Sequence, residues 1–288
     1  MHRRTISIMG VIIIGIIAII TFNVWYRAQA AKQFVQSDTP TIFVHGWGSS
    51  AHAEEKMANA AKHAGVTNTI VRANVDRQGK VTFNEAIPAH AVNPIVEVNL
   101  ADNKLRGYTS NYPAGYKYGA TYVKNVVLAL ERQHHYRAIN LVGHSMGNLE
   151  IINYINDNNG DPNLPRIAHL VAIAGHYNGL IGQKTAESPI NQQTGEPQRK
   201  DATIKPLMTL RNTFPTNTRV LNIYGDKKDG SHSDGDVPVN SAKTLKYIIN
   251  GRAKSYQEVE IKGANAQHSK LHNNSQVNRE LINFLWHK

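Results

Sequence analysis

Ile139-Asn-Leu-Val142-Gly143-His144-Ser145-Met146-Gly147-Asn148-Leu149-Glu-Ile-Ile-Asn-Tyr-Ile155 places a short apolar run, a G-x-S-x-G turn and a helical pattern end to end. The run Ile139–Val142 suits a buried strand, and the apolar residues from Leu149 to Ile155 suit a buried helix over Asn148 to Asn156. A turn this sharp leaves no room for Cβ atoms beside its apex, and glycine at positions 143 and 147 removes them. The apex serine is then lifted clear of the sheet, where it can act as a nucleophile. The same turn aims the Met146 N–H and the helix N-terminus at a substrate oxygen. A glycine turn carrying an ordinary surface serine would match the pattern alone, but would not require a strand before it and a helix after it.

Outward from this turn the two periodicities alternate. Strands are expected at Thr41–Val44, Thr69–Asn74, Lys80–Phe83, Ile95–Leu100, Ala138–Val142, Ile167–Ala174, Arg219–Tyr224 and Gln257–Ile261. Helices are expected at Glu54–His63, Tyr118–Gln133, Asn148–Asn156 and from about Ser275 onward. Gln78-Gly79 marks a hairpin. Strands separated by helices imply an α/β fold with a doubly wound, mainly parallel sheet. Residues 176–206, polar and rich in Gly, Pro, Gln and Asn over most of their length, interrupt the rhythm and read as an insertion over the sheet edge, either a lid or a surface excursion.

A serine nucleophile needs a base and an orienting carboxylate, which in this architecture follow it in the order acid, then histidine. The strand Arg219–Tyr224 runs into a loop with four aspartates. Asp234, opening Asp-Gly-Asp-Val-Pro238, is the first choice; Asp236 and Asp226 are the alternatives. The last strand leads to His268, the expected base, with His272 as the alternative. His45-Gly46-Trp47-Gly48 ends the first core strand, so the Trp47 N–H is the expected second oxyanion donor and His45 a scaffold residue. The aspartate spacing does not fit a calcium loop, and His-Ser-Lys-Leu-His lacks the inner glutamate of a zinc hydrolase, so no metal is expected.

The N-terminus is read apart from the domain. Arg3 and Arg4 precede the nearly uninterrupted apolar run Ile6–Phe22, followed by Trp25 and Tyr26. A run near the roughly 20 residues of a bilayer span, basic before and aromatic after, predicts a signal anchor with the domain outside. A signal peptide cleaved after Ala28-Gln29-Ala30 is the other reading. Residues 1–37 are therefore assigned to anchor or signal segment and linker, and 38–288 to the catalytic domain.

Composition agrees with a globular protein: 288 residues, 41% hydrophobic and 18% charged. The absence of cysteine excludes disulfides, thiolate metal sites and a cysteine nucleophile. The net charge of +11 comes without a basic run interleaved with aromatics, so nucleic acid is not an expected partner. An anionic envelope surface suits that charge better.

Taken together, His45-Gly-Trp-Gly48, Gly143-His-Ser-Met-Gly147, Asp234-Gly-Asp-Val-Pro238 and His268-Ser-Lys-Leu-His272 resemble the α/β-hydrolase superfamily from about Thr39 to Lys288. More narrowly, the chain is similar to an uncharacterised group of Gram-positive, membrane-bound cell-surface α/β-hydrolases. The resemblance implies a Ser145–Asp234–His268 triad and no cofactor, but supplies no substrate. The acyl-transfer chemistry of such a triad makes a small-molecule or lipid ester the expected substrate, and no obligate protein partner is evident. Asn148 stands where related lipases often carry a second glycine, which puts helix packing or the acyl pocket in question. An acyltransferase would carry the same triad, and a non-catalytic surface binding protein could keep the same scaffold.

Overall fold

The computed structural model describes residues 2–288, with the side chains of residues 2–10, 27, 30 and 31 outside that description. The first half contains α1 (His2–Gln33), β1 (Thr41–Val44), α2 (Glu55–His63), β2 (Ile70–Val75), β3 (Val81–Phe83), β4 (Ile95–Leu100), α3 (Tyr112–Glu131), β5 (Ala138–His144) and α4 (Met146–Asn158). The second half contains β6 (Arg166–Ile173), α5 (Leu210–Thr213), β7 (Arg219–Asp226), α6 (Val239–Lys243), α7 (Leu245–Ile249), β8 (Ser255–Lys262) and α8 (Ser275–Trp286).

One eight-stranded sheet runs in the order β3-β2-β4-β1-β5-β6-β7-β8. All neighbours are parallel except β2 and β3, which form the hairpin signalled at Gln78-Gly79. Alternation along the central strands divides the core in two, because successive side chains leave opposite faces of a strand. Ile42 and Val44 of β1 and Leu141 of β5 pack with Val126 and Val127 of α3 and Leu149 and Ile152 of α4. Phe43 and Val142 point the other way, to Met57 of α2 and Leu281 and Leu285 of α8. The fold is the doubly wound, mainly parallel α/β sheet that the sequence implied.

Helix α3 starts at Tyr112 rather than Tyr118. Asn111 caps it by accepting the Ala114 N–H at 3.3 Å, and Pro113 is preset for a first turn. Glycines inside this helix serve close packing: a Cβ at Gly119 would lie 2.8 Å from Glu150 Cγ on α4. The short helices α5, α6 and α7 span only four or five residues each, too few to show a period in sequence.

Helix α1 carries exposed apolar side chains from Val11 through Trp25. Among the described residues no helix is long and apolar enough to cross a membrane. The side chains of Arg3, Arg4, Ile6–Gly10 and Ala30, on which part of the anchor and cleavage readings rest, lie outside the described residues. The Tyr26 hydroxyl of α1 donates to the His63 carbonyl at the end of α2, and burial in the domain core begins at Phe34, which lies in the α2–α8 side and pairs with His287.

Candidate active site

The turn between β5 and α4 holds Ser145 at φ +52°, ψ −121°, a conformation L-residues rarely adopt. Its neighbours make that possible. A Cβ at Gly143 would lie 2.6 Å from Asn148 Oδ1, and one at Gly147 would lie 2.8 Å from the His45 carbonyl. Asn148, the departure from the lipase pattern, ties the turn down: its Nδ2 donates to the Ile173 carbonyl at 2.8 Å and the Ser145 carbonyl at 3.2 Å. The Ser145 N–H also donates to the Ile173 carbonyl at 3.0 Å.

Ser145 lines a cavity of about 910 Å³ at the C-terminal ends of the parallel strands. Ser145 Oγ lies 2.9 Å from His268 Nε2, and His268 Nδ1 lies 2.8 Å from Asp234 Oδ2. With the Nδ1–H donated to Asp234, Nε2 is left to accept the serine proton. The loop after β7 builds the acid's surroundings: Asp234 Oδ1 accepts the Asp236 N–H at 2.9 Å and the Val237 N–H at 2.7 Å. The His268 N–H in turn donates to the Asp234 carbonyl at 2.9 Å. Of the three aspartates considered, the structure brings Asp234 to His268. Asp236 lines the cavity, and Asp226 pairs instead with Lys228 Nζ at 2.8 Å.

Electrostatics favour a protonatable His268. Burial alone would lower its pKa, but the hydrogen bond and charge of Asp234, together with the charge of Asp236, outweigh it and raise the pKa above the usual value. His144, inside the G-x-S-x-G motif, lies behind the base and donates from Nε2 to the His268 carbonyl at 3.2 Å. Burial, with His268 and His272 nearby, holds the His144 pKa well below the usual value, so it stays neutral. His272 lies in the cavity wall, and burial lowers its pKa too. Among the described residues no three His, Asp or Glu side chains are grouped to hold a metal ion.

The oxyanion candidates flank this centre in sequence. Met146 is the first residue of α4 and lines the cavity. The loop after β1 passes against the serine so closely that a Cβ at Gly46 would lie 2.9 Å from Ser145 Cβ, and Trp47 follows at the cavity mouth. His45 has the scaffold position expected of it: it accepts the Leu100 N–H at Nε2 (3.1 Å) and donates from Nδ1 to the Gly46 carbonyl (2.9 Å). Backbone N–H groups placed so can stabilise an oxyanion beside Ser145 Oγ.

The segment 176–206 forms one wall of the cavity through His176, Leu180, Ile181 and Thr203. Asn178 pins it, donating to Thr185 and Arg199 carbonyls at 2.6 and 3.0 Å and accepting the Asp201 N–H at 2.8 Å. Sequence reasoning missed Tyr116 and His176, whose polar atoms meet at 3.0 Å across this wall. Position at the C-terminal end of β6, where such sheets gather ligands, was the available signal for His176.

Residues 28–288 match the model of a family described as an alpha/beta hydrolase of unknown function, DUF915. Among solved structures, a gene product of Listeria innocua is similar at 24% identity and TM-score 0.77, covering 86% of this chain and 94% of its own. A Lactobacillus plantarum protein described as a cell surface hydrolase is similar at 22% identity and TM-score 0.66, covering 86% of this chain and 89% of its own. These likenesses are of fold. No curated protein matches the chain.

Proposed function

We infer that this chain, which belongs to the DUF915 family of α/β-hydrolases, is a serine hydrolase that cleaves carboxylic esters at the outer face of the cell membrane. The observation that carries the reading is the continuous relay Ser145 Oγ–His268–Asp234, with contacts of 2.9 and 2.8 Å, on a serine facing the cavity.

In the proposed cycle Ser145 Oγ forms a bond to the ester carbonyl carbon while His268 Nε2 takes the hydroxyl proton. The carbonyl electrons move to the oxygen, held by the Met146 and Trp47 N–H groups. When the tetrahedral centre collapses, the C–O bond to the alcohol breaks and His268 returns the proton to the leaving oxygen. Water then attacks the acyl-enzyme by the same route, releasing the acid and restoring Ser145. Asp234 orients the imidazole and stabilises the cation it becomes.

The envelope location is supported by the exposed apolar side chains from Val11 to Trp25 of α1, Arg3 and Arg4 ahead of that run in the sequence, and the net charge of +11. Anchorage through α1 and release after cleavage near Ala30 both deliver the domain outside.

A fluorophosphonate probe with peptide mapping tests the chemistry. The expected adduct is on Ser145 and is lost in Ser145→Ala and His268→Ala. A folded wild-type protein that takes no adduct would refute the relay as a working unit. Applied to intact cells without a permeant, the same probe should label the enzyme on cells or in medium; labelling only after lysis counts against the outer location.

A further inference from the structure

Among the described residues of 34–288, the exposed large apolar side chains are Trp47, Tyr112, Leu180, Ile181, Val35 and Val92, and the first four all line the Ser145 cavity. Those four come from three separate stretches: the loop after β1, the start of α3 and the segment 176–206. They are 55, 43, 37 and 43% exposed, whereas Met146 beside the nucleophile is 2% exposed, so they form the rim of the cavity and not its floor. Lys104 Nζ lies over the Trp47 ring at 4.8 Å, which orders the indole while more than half of it stays open. Apolar surface gathered at one cavity marks a binding region.

The bilayer proposed to hold α1 lies at the other pole of the domain. Where the chain leaves α1, Phe34 bridges to His287 at the end of α8. The Ser37 carbonyl then accepts the Asn93 N–H, just before β4, at 2.6 Å, and the Pro40 carbonyl accepts the Asn140 N–H, near the start of β5, at 2.9 Å. These contacts run along the N-terminal edge of the parallel strands, whereas the cavity opens at their C-terminal ends. Helix α8 spans the separation. It starts beside the His268 loop, where Asn274 Nδ2 donates to the Asn265 carbonyl at 3.0 Å, and its 12 residues carry the chain to His287. A helix of that length measures about 18 Å. Val35 and Val92, the two exposed apolar residues away from the rim, lie at the α1 pole, where Asn93 Nδ2 donates to the Val35 carbonyl at 2.7 Å.

We propose that Trp47, Tyr112, Leu180 and Ile181 hold a hydrocarbon chain of the substrate itself, which runs out over the rim while its ester lies at Ser145. The substrate is then a long-chain ester taken up singly from the side remote from α1, and not drawn from the bilayer in which α1 sits. This deepens the hydrolase reading of the same cavity and rests on it, and on α1 as the anchor. Rim and nucleophile line one cavity, so a chain attached to the reacting ester reaches the rim without a second site. Each methylene moved from water onto apolar surface favours binding about fourfold. The gain appears in kcat/KM because the chain keeps its contacts in the transition state.

The full chain in phosphatidylcholine nanodiscs, given p-nitrophenyl butyrate and p-nitrophenyl decanoate, tests the chain contact. The readout is the decanoate-to-butyrate ratio of kcat/KM in wild type and in the double variant Leu180→Asn/Ile181→Asn. The fraction of folded enzyme cancels within each ratio, and partition of the esters into lipid cancels between the two proteins. The variant should lower the ratio by roughly tenfold. An unchanged ratio, with Ser145 still labelled by the fluorophosphonate, overturns the rim contact and leaves the hydrolase intact. A wild type that neither labels nor cleaves either ester overturns the hydrolase reading, and this inference with it. The chain has no cysteine, so Leu180→Cys and, separately, Val24→Cys each give a single thiol for a bimane label. Nitroxide-bearing lipid in the nanodisc should quench the label at 24 and leave the label at 180 bright. Quenching at 180 would seat the rim in the bilayer, and a bright label at 24 would show that α1 is not inserted; either result overturns the proposed direction of uptake.

Discussion

Asp234, in the loop after β7, and Glu150, where α4 packs on α3, are both hidden from water, yet the fold treats the two carboxyls in opposite ways. Asp234 receives two backbone N–H groups on one oxygen and faces His268 with the other. Neither carboxyl oxygen of Glu150 has a hydrogen-bond partner among the described residues. Burial, with a smaller push from Asp102, raises the Glu150 pKa to about 8, so near neutral pH it holds its proton and serves as packing for Gly119. Depth alone therefore does not mark a working acid. The N–H donors around the carboxyl do, because they stabilise the anion that a histidine partner requires.

The comparison breaks most visibly if Asp234 proves dispensable. Asp234→Asn is expected to lower kcat by about 10³–10⁴-fold, since the amide no longer enforces the imidazole tautomer or stabilises its cation. In wild type, activity should fall as pH drops through the raised His268 pKa, because a protonated ring cannot take the Ser145 proton. In Asp234→Asn the remaining acid limb should move to lower pH. A profile of kcat/KM against pH checks both, and a variant within tenfold of wild type would remove Asp234 from the relay.

Glu150→Gln should act on stability and spare turnover. The folded pKa of about 8 lies above the unfolded value, so the contribution of Glu150 is fully present below the unfolded pKa and is lost as pH rises through about 8. Thermal melts should show the variant gaining on wild type between about pH 5 and 9, with the largest gap at the alkaline end. A gap that does not change with pH would mean Glu150 is not neutral in the fold.

Asp236→Asn sharpens the contrast at its smallest scale. The Asp236 carboxylate contributes charge to His268, whereas its backbone N–H holds Asp234 and survives the substitution. We expect less than about a threefold change in kcat/KM and a slight downward shift of the acid limb. A loss comparable to that of Asp234→Asn would show that the two acids share the role.

How much of this was legible in the sequence depends on distance along the chain. The Ser145 turn was readable because strand, glycines and helix adjoin, so local sterics encode it. The sheet was readable because each strand and helix carries its own period. The short helices α5–α7 were not, being too brief for a period. The preference among Asp226, Asp234 and Asp236 followed from loop position, but which of them meets His268 depends on how the loop folds back through Asp236 and Val237. Tyr116 and His176 lie 60 residues apart, and nothing local announces that their polar atoms meet.

One connection has a consequence for how the domain could be rearranged. The Val35 N–H donates to the Trp286 carbonyl at 2.7 Å, the Lys288 N–H donates to the Gln33 carbonyl at 3.2 Å, and Phe34 bridges to His287. The domain from residue 34 to 288 is thus nearly a closed circle in chain connectivity. A short linker could join 288 to 34, and the circle could be reopened at the exposed turn around Gly160, where the backbone is uncrowded. Such a permuted chain would keep the contacts of the sheet and of Ser145, His268 and Asp234 while α1 became a segment that could be removed or exchanged without opening the domain.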